Sequence, residues 1–131
     1  MNVNFFDNPL DGPRAREDVR FNQVAVYVYP DNTETMRRLA VGFDITPFRE
    51  RPCIEVRVTN AGGVYAGSID VMQTMHNNFH ITIHLRDKFP TDEYKVVSKL
   101  YYLNEEDGSR MDIDEKVAHV DVSNPGAEVR V

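Results

Sequence analysis

Tryptophan is absent from this sequence, cysteine occurs once, and no apolar stretch approaches the length of a membrane span. Because Cys53 is alone, the chain cannot form an intramolecular disulfide or a metal site of the paired-cysteine kind, and we expect a small buried side chain there. The lack of a long apolar run argues against membrane insertion. No basic patch offsets the net charge of −6, so the chain should repel a phosphate backbone and nucleic-acid binding is not expected.

The N-terminus also lacks the basic start and apolar run of a secretory signal, so we expect a cytoplasmic protein of bacterial type. The chain has 131 residues, of which 41% are hydrophobic and 27% charged. These values are ordinary for a single globular domain and are not those of a disordered chain. A domain of this size can bury enough apolar surface to fold without a disulfide or a metal.

Period-two alternation dominates the chain and predicts β-strands. Its clearest example starts at Phe79, where apolar residues alternate with polar ones as far as Arg86. On a helix of 3.6 residues per turn these apolar groups would not share a face. Similar alternation, rich in β-branched and aromatic residues, predicts seven strands in all, near residues 23–29, 39–46, 54–59, 64–72, 79–86, 94–104 and 117–122.

The segment Asp92-Glu93-Tyr94-Lys95-Val96 resembles the tyrosine corner of immunoglobulin-type sandwiches. With the strand count, it makes residues 23–124 similar to bacterial immunoglobulin-like or fibronectin-III-like domains, although the Trp and Cys pair of antibody domains are missing. The resemblance implies an all-β, seven-stranded antiparallel two-sheet sandwich with Greek-key connections, and no particular activity. Residues 1–22 are expected to form a loosely ordered tail and residues 125–131 a C-terminal tail. Phe5, Phe6 and Leu10 in the first tail suggest either a strap over a sheet edge or a short motif for a partner.

In this topology the loops gather at two ends of the sandwich. Residues 47–52, 73–78 and 104–116 form one end, which we call the near pole, and residues 30–36, 60–63 and 87–92 form the far pole. Loops held by a rigid sandwich often carry function. The near pole combines an aromatic residue with both charges, which predicts a protein-binding site made by Phe48, Arg49, Arg51, Asp107, Asp112 and Asp114.

Other site types find less support in the sequence. The acidic run 105–115 lacks the spacing of an EF-hand calcium loop, and Arg110 lies within it. His80 and His84 would be roughly 13 Å apart on one strand, too far to share a zinc ion. No nucleophile elbow or phosphate-binding glycine loop is present. We therefore expect neither an enzyme nor a bound metal or cofactor.

The favoured hypothesis is a non-catalytic protein-binding or accessory module whose partner is another protein. The alternative is a carbohydrate-binding module in which Tyr27, Tyr29 and Tyr101 present ring faces to a sugar. Homodimerisation through an exposed edge strand also stays open.

Overall fold

The computed structural model describes residues 12–131 and contains eight strands. A short 3-10 turn precedes them at Arg16–Asp18. The strands are β1 (Phe21–Val28), β2 (Arg38–Ile45), β3 (Cys53–Asn60), β4 (Tyr65–Val71), β5 (Asn78–His84), β6 (Glu93–Leu103), β7 (Arg110–Asp121) and β8 (Glu128–Arg130). Within residues 12–131 no helix is long and apolar enough to cross a membrane.

The strands form two four-stranded antiparallel sheets, in the orders β5-β2-β1-β8 and β4-β3-β6-β7. This arrangement confirms the predicted all-β, two-sheet sandwich. The chain crosses from the first sheet to the second after β2, returns for β5, and crosses again to β6. The third, sixth and seventh strands therefore share a sheet, as in the immunoglobulin-like Greek key, and the fourth strand pairs with the third at the edge of that sheet.

The inward residues of both sheets pack into one apolar cluster. Alternate residues of β1, such as Val24, Val26 and Val28, are almost fully buried, and the same holds for Val56 and Val58 of β3. Burying each such side chain contributes about 1.5–3 kcal/mol relative to leaving it in water. Cys53 is buried, as expected of a small apolar side chain.

The two sheets close on each other at both lateral edges. At one edge, Gly67 of β4 lies against the backbone of β5, and a Cβ at this position would stand 2.9 Å from the His84 carbonyl oxygen. The Arg86 amide donates to the Ala66 carbonyl at 2.8 Å beside it. At the other edge, the carboxylate of Asp114 in β7 accepts a 2.9 Å hydrogen bond from the Phe21 amide in β1. These contacts fix the relative position of the sheets.

Three chain segments differ from the sequence-based expectation. Residues 110–116, expected in an acidic loop, are the first half of β7. Residues 125–131, expected as a tail, contain β8, which pairs with β1 and makes the strand count eight. Val19 and Phe21 lie in the expected N-terminal tail but belong to the core. Phe5, Phe6 and Leu10, predicted as a strap or a sticky motif, lie outside the described residues.

The corner before β6 holds a buried polar network centred on Tyr94. Its hydroxyl donates to the Asp87 carboxylate, at 2.9 Å from Oδ2, and accepts from Nη1 of Arg37 at 2.6 Å. Asn60 donates to the same carboxylate at 2.9 Å and to the Phe89 carbonyl at 3.0 Å. The tyrosine lies where the tyrosine-corner resemblance expects it, but its acceptor is a carboxylate, not a backbone carbonyl. Burial, reinforced by the Asp87 hydrogen bond, raises the pKa of Tyr94 to about 12.

Candidate functional site

The three loops of the near pole meet, as the topology predicts. The Thr74 amide donates to the Pro52 carbonyl at 2.9 Å, and the Tyr102 hydroxyl donates to the Glu50 carbonyl at 2.8 Å. Between the loops lies a concavity of about 390 Å³. Its lining residues come from the N-terminal segment, the three loops and the adjoining ends of β3, β4 and β6: Arg16, Glu50, Arg51, Cys53, Met72, Gln73, Tyr102, Leu103 and Glu105.

The concavity combines apolar and charged side chains. Met72 and Leu103 are large apolar side chains that remain exposed to solvent. At the rim, Arg16 forms an ion pair with Glu50, and its guanidinium lies 4.8 Å from the centre of the Tyr102 ring. Burial, with the nearby Glu50 charge, raises the pKa of Tyr102 to about 12. Exposed apolar side chains next to polar groups are typical of a binding surface.

Gln73 gives this site an unusual backbone. Its φ of 49° lies in the left-handed region, and no other non-glycine residue among residues 12–131 has a positive φ. Such a conformation costs about 1–2 kcal/mol. It is held by a 3.4 Å hydrogen bond from the Gln73 amide to Cys53 Sγ and by the neighbouring Thr74 bond to Pro52. Strained backbone of this kind clusters at functional sites.

The predicted residues of the 47–52 loop divide between core and solvent. Phe48, expected as an exposed aromatic, is partly buried and packs against the core, while its backbone pairs with that of Arg14. Arg49 and Arg51 are exposed, and neither forms a salt bridge with another described residue. Arg51 lines the concavity. The loop therefore presents two cations and no free aromatic ring.

The predicted acidic residues have three separate roles. Asp107 lies at the tip of the 104–109 turn, where hydrogen bonds from the Ser109 side chain and amide lower its pKa. Asp112 pairs with Arg110 at 2.6 Å. Asp114 is partly buried and joins β7 to β1, as described above. The structure does not bring these three carboxylates together, and the concavity receives its negative charge from Glu50 and Glu105 instead.

The tyrosines of the carbohydrate alternative lie on the outer faces of different sheets. Tyr101, expected to be exposed, is only 5% accessible, and Arg110 covers its ring at 3.9 Å. Tyr27 and Tyr29 meet edge to face, with centroids 5.8 Å apart. Arg38 covers the Tyr29 ring at 4.5 Å. Of these three tyrosines, Tyr27 therefore has a ring that no arginine within residues 12–131 covers.

His80 and His84 face solvent from β5, as the alternation predicts. No group of three or more His, Cys, Asp or Glu side chains within residues 12–131 is placed to hold a metal ion.

Sequence reasoning missed Met72, Gln73, Leu103 and Arg16 as part of the site. The exposure of Leu103 could have been predicted, because alternation along β6 places it on the same outer face as Lys95 and Lys99. Arg16 could not, because its segment shows no periodicity. The backbone of Gln73 has no sequence signal, since left-handed residues are mostly glycine or asparagine.

Comparison with known proteins adds support for the fold. No protein-family model and no curated protein matches the chain. Solved structures do match, among them a glycosyl hydrolase family 2 member from Bacteroides cellulosilyticus, with a TM-score of 0.58 and 14% identity over 79% of this chain. The β-glucuronidase from Bifidobacterium dentium is similar with a TM-score of 0.56 and 10% identity over 80% of this chain.

In both cases the similarity is confined to a small part of a much longer protein. This chain covers 14% of the Bacteroides protein and 18% of the Bifidobacterium enzyme. At such low identity the matches establish a shared β-sandwich fold and nothing further.

Proposed function

We propose that this protein is a non-catalytic, immunoglobulin-like accessory module that binds a partner protein at its near pole. The observation that carries the proposal is the concavity itself, where exposed Met72 and Leu103 lie beside the exposed Arg51 and the strained Gln73. Methionine adapts its shape to a partner better than a branched side chain does. An accessory role is in keeping with the fold matches, in which the sandwich is a small part of a larger enzyme.

The charges around the concavity define what it would bind. Arg49 and Arg51 belong to the 47–52 loop, and Glu105 belongs to the opposite 104–109 turn. A complementary partner presents a large apolar side chain that enters the concavity. An acidic residue on one side of it would contact the two arginines, and a basic residue on the other side would contact Glu105. Rim charges of this kind set orientation and specificity more than affinity. The apolar side chain supplies most of the binding energy.

A random peptide library displayed on phage tests the proposal with purified protein. Selection against the wild type should enrich peptides with a large apolar residue flanked by charges. Synthetic versions are then titrated by fluorescence polarisation. Replacing both cations, Arg49→Ala with Arg51→Ala, should weaken binding about tenfold, because two rim charge interactions are lost.

The matched control removes one cation of the far pole and a second cation close to it in sequence, Lys88→Ala with Arg86→Ala. Both are exposed, and neither forms a salt bridge with any residue from 12 to 131. The control has the same net charge as the Arg49 and Arg51 variant and should bind the selected peptides like the wild type. Equal loss in both variants, or peptides whose binding survives Met72→Ala and Leu103→Ala, would contradict a near-pole site.

A further inference from the structure

Exposed apolar side chains concentrate at the two ends of the sandwich. Among the described residues, four large ones lie near the near pole: Met72, Met75, Leu103 and Met111. Four others lie near the far pole: Met36, Val64, Tyr65 and Phe89. Val117 is the remaining one, and it lies on the outer face of a sheet. This distribution favours contacts made end to end over contacts made through the sheet faces.

Phe89 is the most exposed of these side chains, with 76% of its surface accessible. The corner that carries it is nevertheless fixed, because Asn60 holds its carbonyl and Asp87 is locked between Asn60 and Tyr94. Arg37 also donates to the Thr91 carbonyl, two residues after Phe89. An aromatic side chain on a rigid corner loses little conformational entropy when it is buried in a partner.

The neighbours of Phe89 match the near pole in charge. Lys88 precedes it and Asp92 ends the same corner, and both are exposed. The lining of the near-pole concavity likewise holds both charges, with Glu105 and Arg51 beside Met72 and Leu103. Its volume of about 390 Å³ is enough for one aromatic ring.

We infer that the near pole binds the far pole of a second copy of this chain, with Phe89 inserted between Met72 and Leu103. The inference rests on the proposed function and names its partner. Because two different surfaces meet, the contact is heterologous and each copy can bind one neighbour at each end. The ends of the sandwich are small, and each copy has a net charge of −6, so we expect weak association with a dissociation constant on the order of 0.1 mM.

Sedimentation velocity of the purified chain tests this inference, with two variants that each block one side. Phe89→Ser removes the inserted ring and leaves the concavity intact. Met72→Glu with Leu103→Glu fills the concavity with charge and leaves Phe89 intact. The wild type should sediment faster as its concentration rises to about 0.5 mM. Each variant alone should stay monomeric, with association weakened at least about thirtyfold.

The decisive sample is the equimolar mixture of the two variants. One variant supplies the ring and the other the concavity, so the mixture should form dimers and nothing larger. Val117→Ser is the control, since it removes an exposed apolar side chain from a sheet face, and it should associate like the wild type. Circular dichroism establishes that every variant is folded.

Three results would overturn the inference: a monomeric wild type at about 0.5 mM, self-association by the charged-concavity variant alone, or a mixture that stays monomeric. Self-association by that variant would mean that two Phe89 patches pair with each other. None of these results touches the proposed function, because peptide binding is measured on monomers at low concentration. If the wild type bound no selected peptide at the near pole, both the proposed function and this inference would be refuted.

Discussion

Tyr94→Phe should destabilise the protein by about 2–4 kcal/mol, because the hydroxyl joins the buried carboxylate of Asp87 to the partly buried guanidinium of Arg37. It donates to Asp87 at 2.9 Å and accepts from Arg37 at 2.6 Å. A hydrogen bond to a charged group contributes about 1.5–3 kcal/mol. The loss falls short of two full bonds, since Asp87 keeps its bond from Asn60 and Arg37 keeps its bond to Thr91. For a chain of this size the expected decrease in Tm is about 8–15 °C.

Thermal and urea unfolding of Tyr94→Phe and of a second hydroxyl deletion provide the assay. Tyr65→Phe removes a hydroxyl that is 2.8 Å from Ser68 on the protein surface, and its cost should stay below about 0.5 kcal/mol. If both variants lose the same small amount, the network does not hold the corner and our account of Phe89 as a rigid insert loses its basis. The expected loss of stability in Tyr94→Phe, with an m-value equal to that of the wild type, would support the role of the network in holding the corner.

Two further predictions concern the sheet edges and acid stability. Gly67→Ala should lower the free energy of unfolding in urea by about 1–3 kcal/mol, because its Cβ would meet the His84 carbonyl oxygen at 2.9 Å. Gly42→Ala is the control, since the nearest neighbour of its Cβ would be 3.9 Å away, and its stability should be nearly that of the wild type. Equal losses in the two variants would refute the close approach at Gly67. A hydrogen bond from Arg110 lowers the pKa of Glu55 below its usual value, so its stabilising contribution is present above about pH 4.5 and is lost as the pH falls below that. Glu55→Gln should therefore lose less stability than the wild type between about pH 5 and pH 3, and parallel pH profiles would contradict this.

The fold was predictable wherever alternation was uninterrupted. In β5 the apolar and polar residues alternate without exception, and the strand is where the pattern places it. The first half of β7 was missed because its alternating residues include Asp112 and Asp114, whose charge indicated a solvated loop. β8 was missed for another reason. It has three residues, and only the exposed backbone of β1 makes Glu128–Arg130 a strand.

The candidate site was predictable in location but not in composition. Topology alone assigns three loops to the near pole, because strand order determines which ends meet. Side-chain direction within an irregular loop has no periodicity, so Phe48 could not be assigned to the core from the sequence. Arg110 lies over the Tyr101 ring beside a register shift between Leu100 and Tyr101, and no local sequence pattern predicts that shift.

Photocrosslinking in living cells detects whether the near pole contacts another protein. A photoreactive aromatic amino acid is introduced in place of Leu103 at the near pole and, as a control, in place of Thr82 on the outer face of the first sheet. We predict that position 103 yields a crosslinked protein species of defined mass, which Arg49→Ala with Arg51→Ala diminishes, while position 82 yields none. Crosslinks from position 82 with none from position 103 would contradict a near-pole binding site.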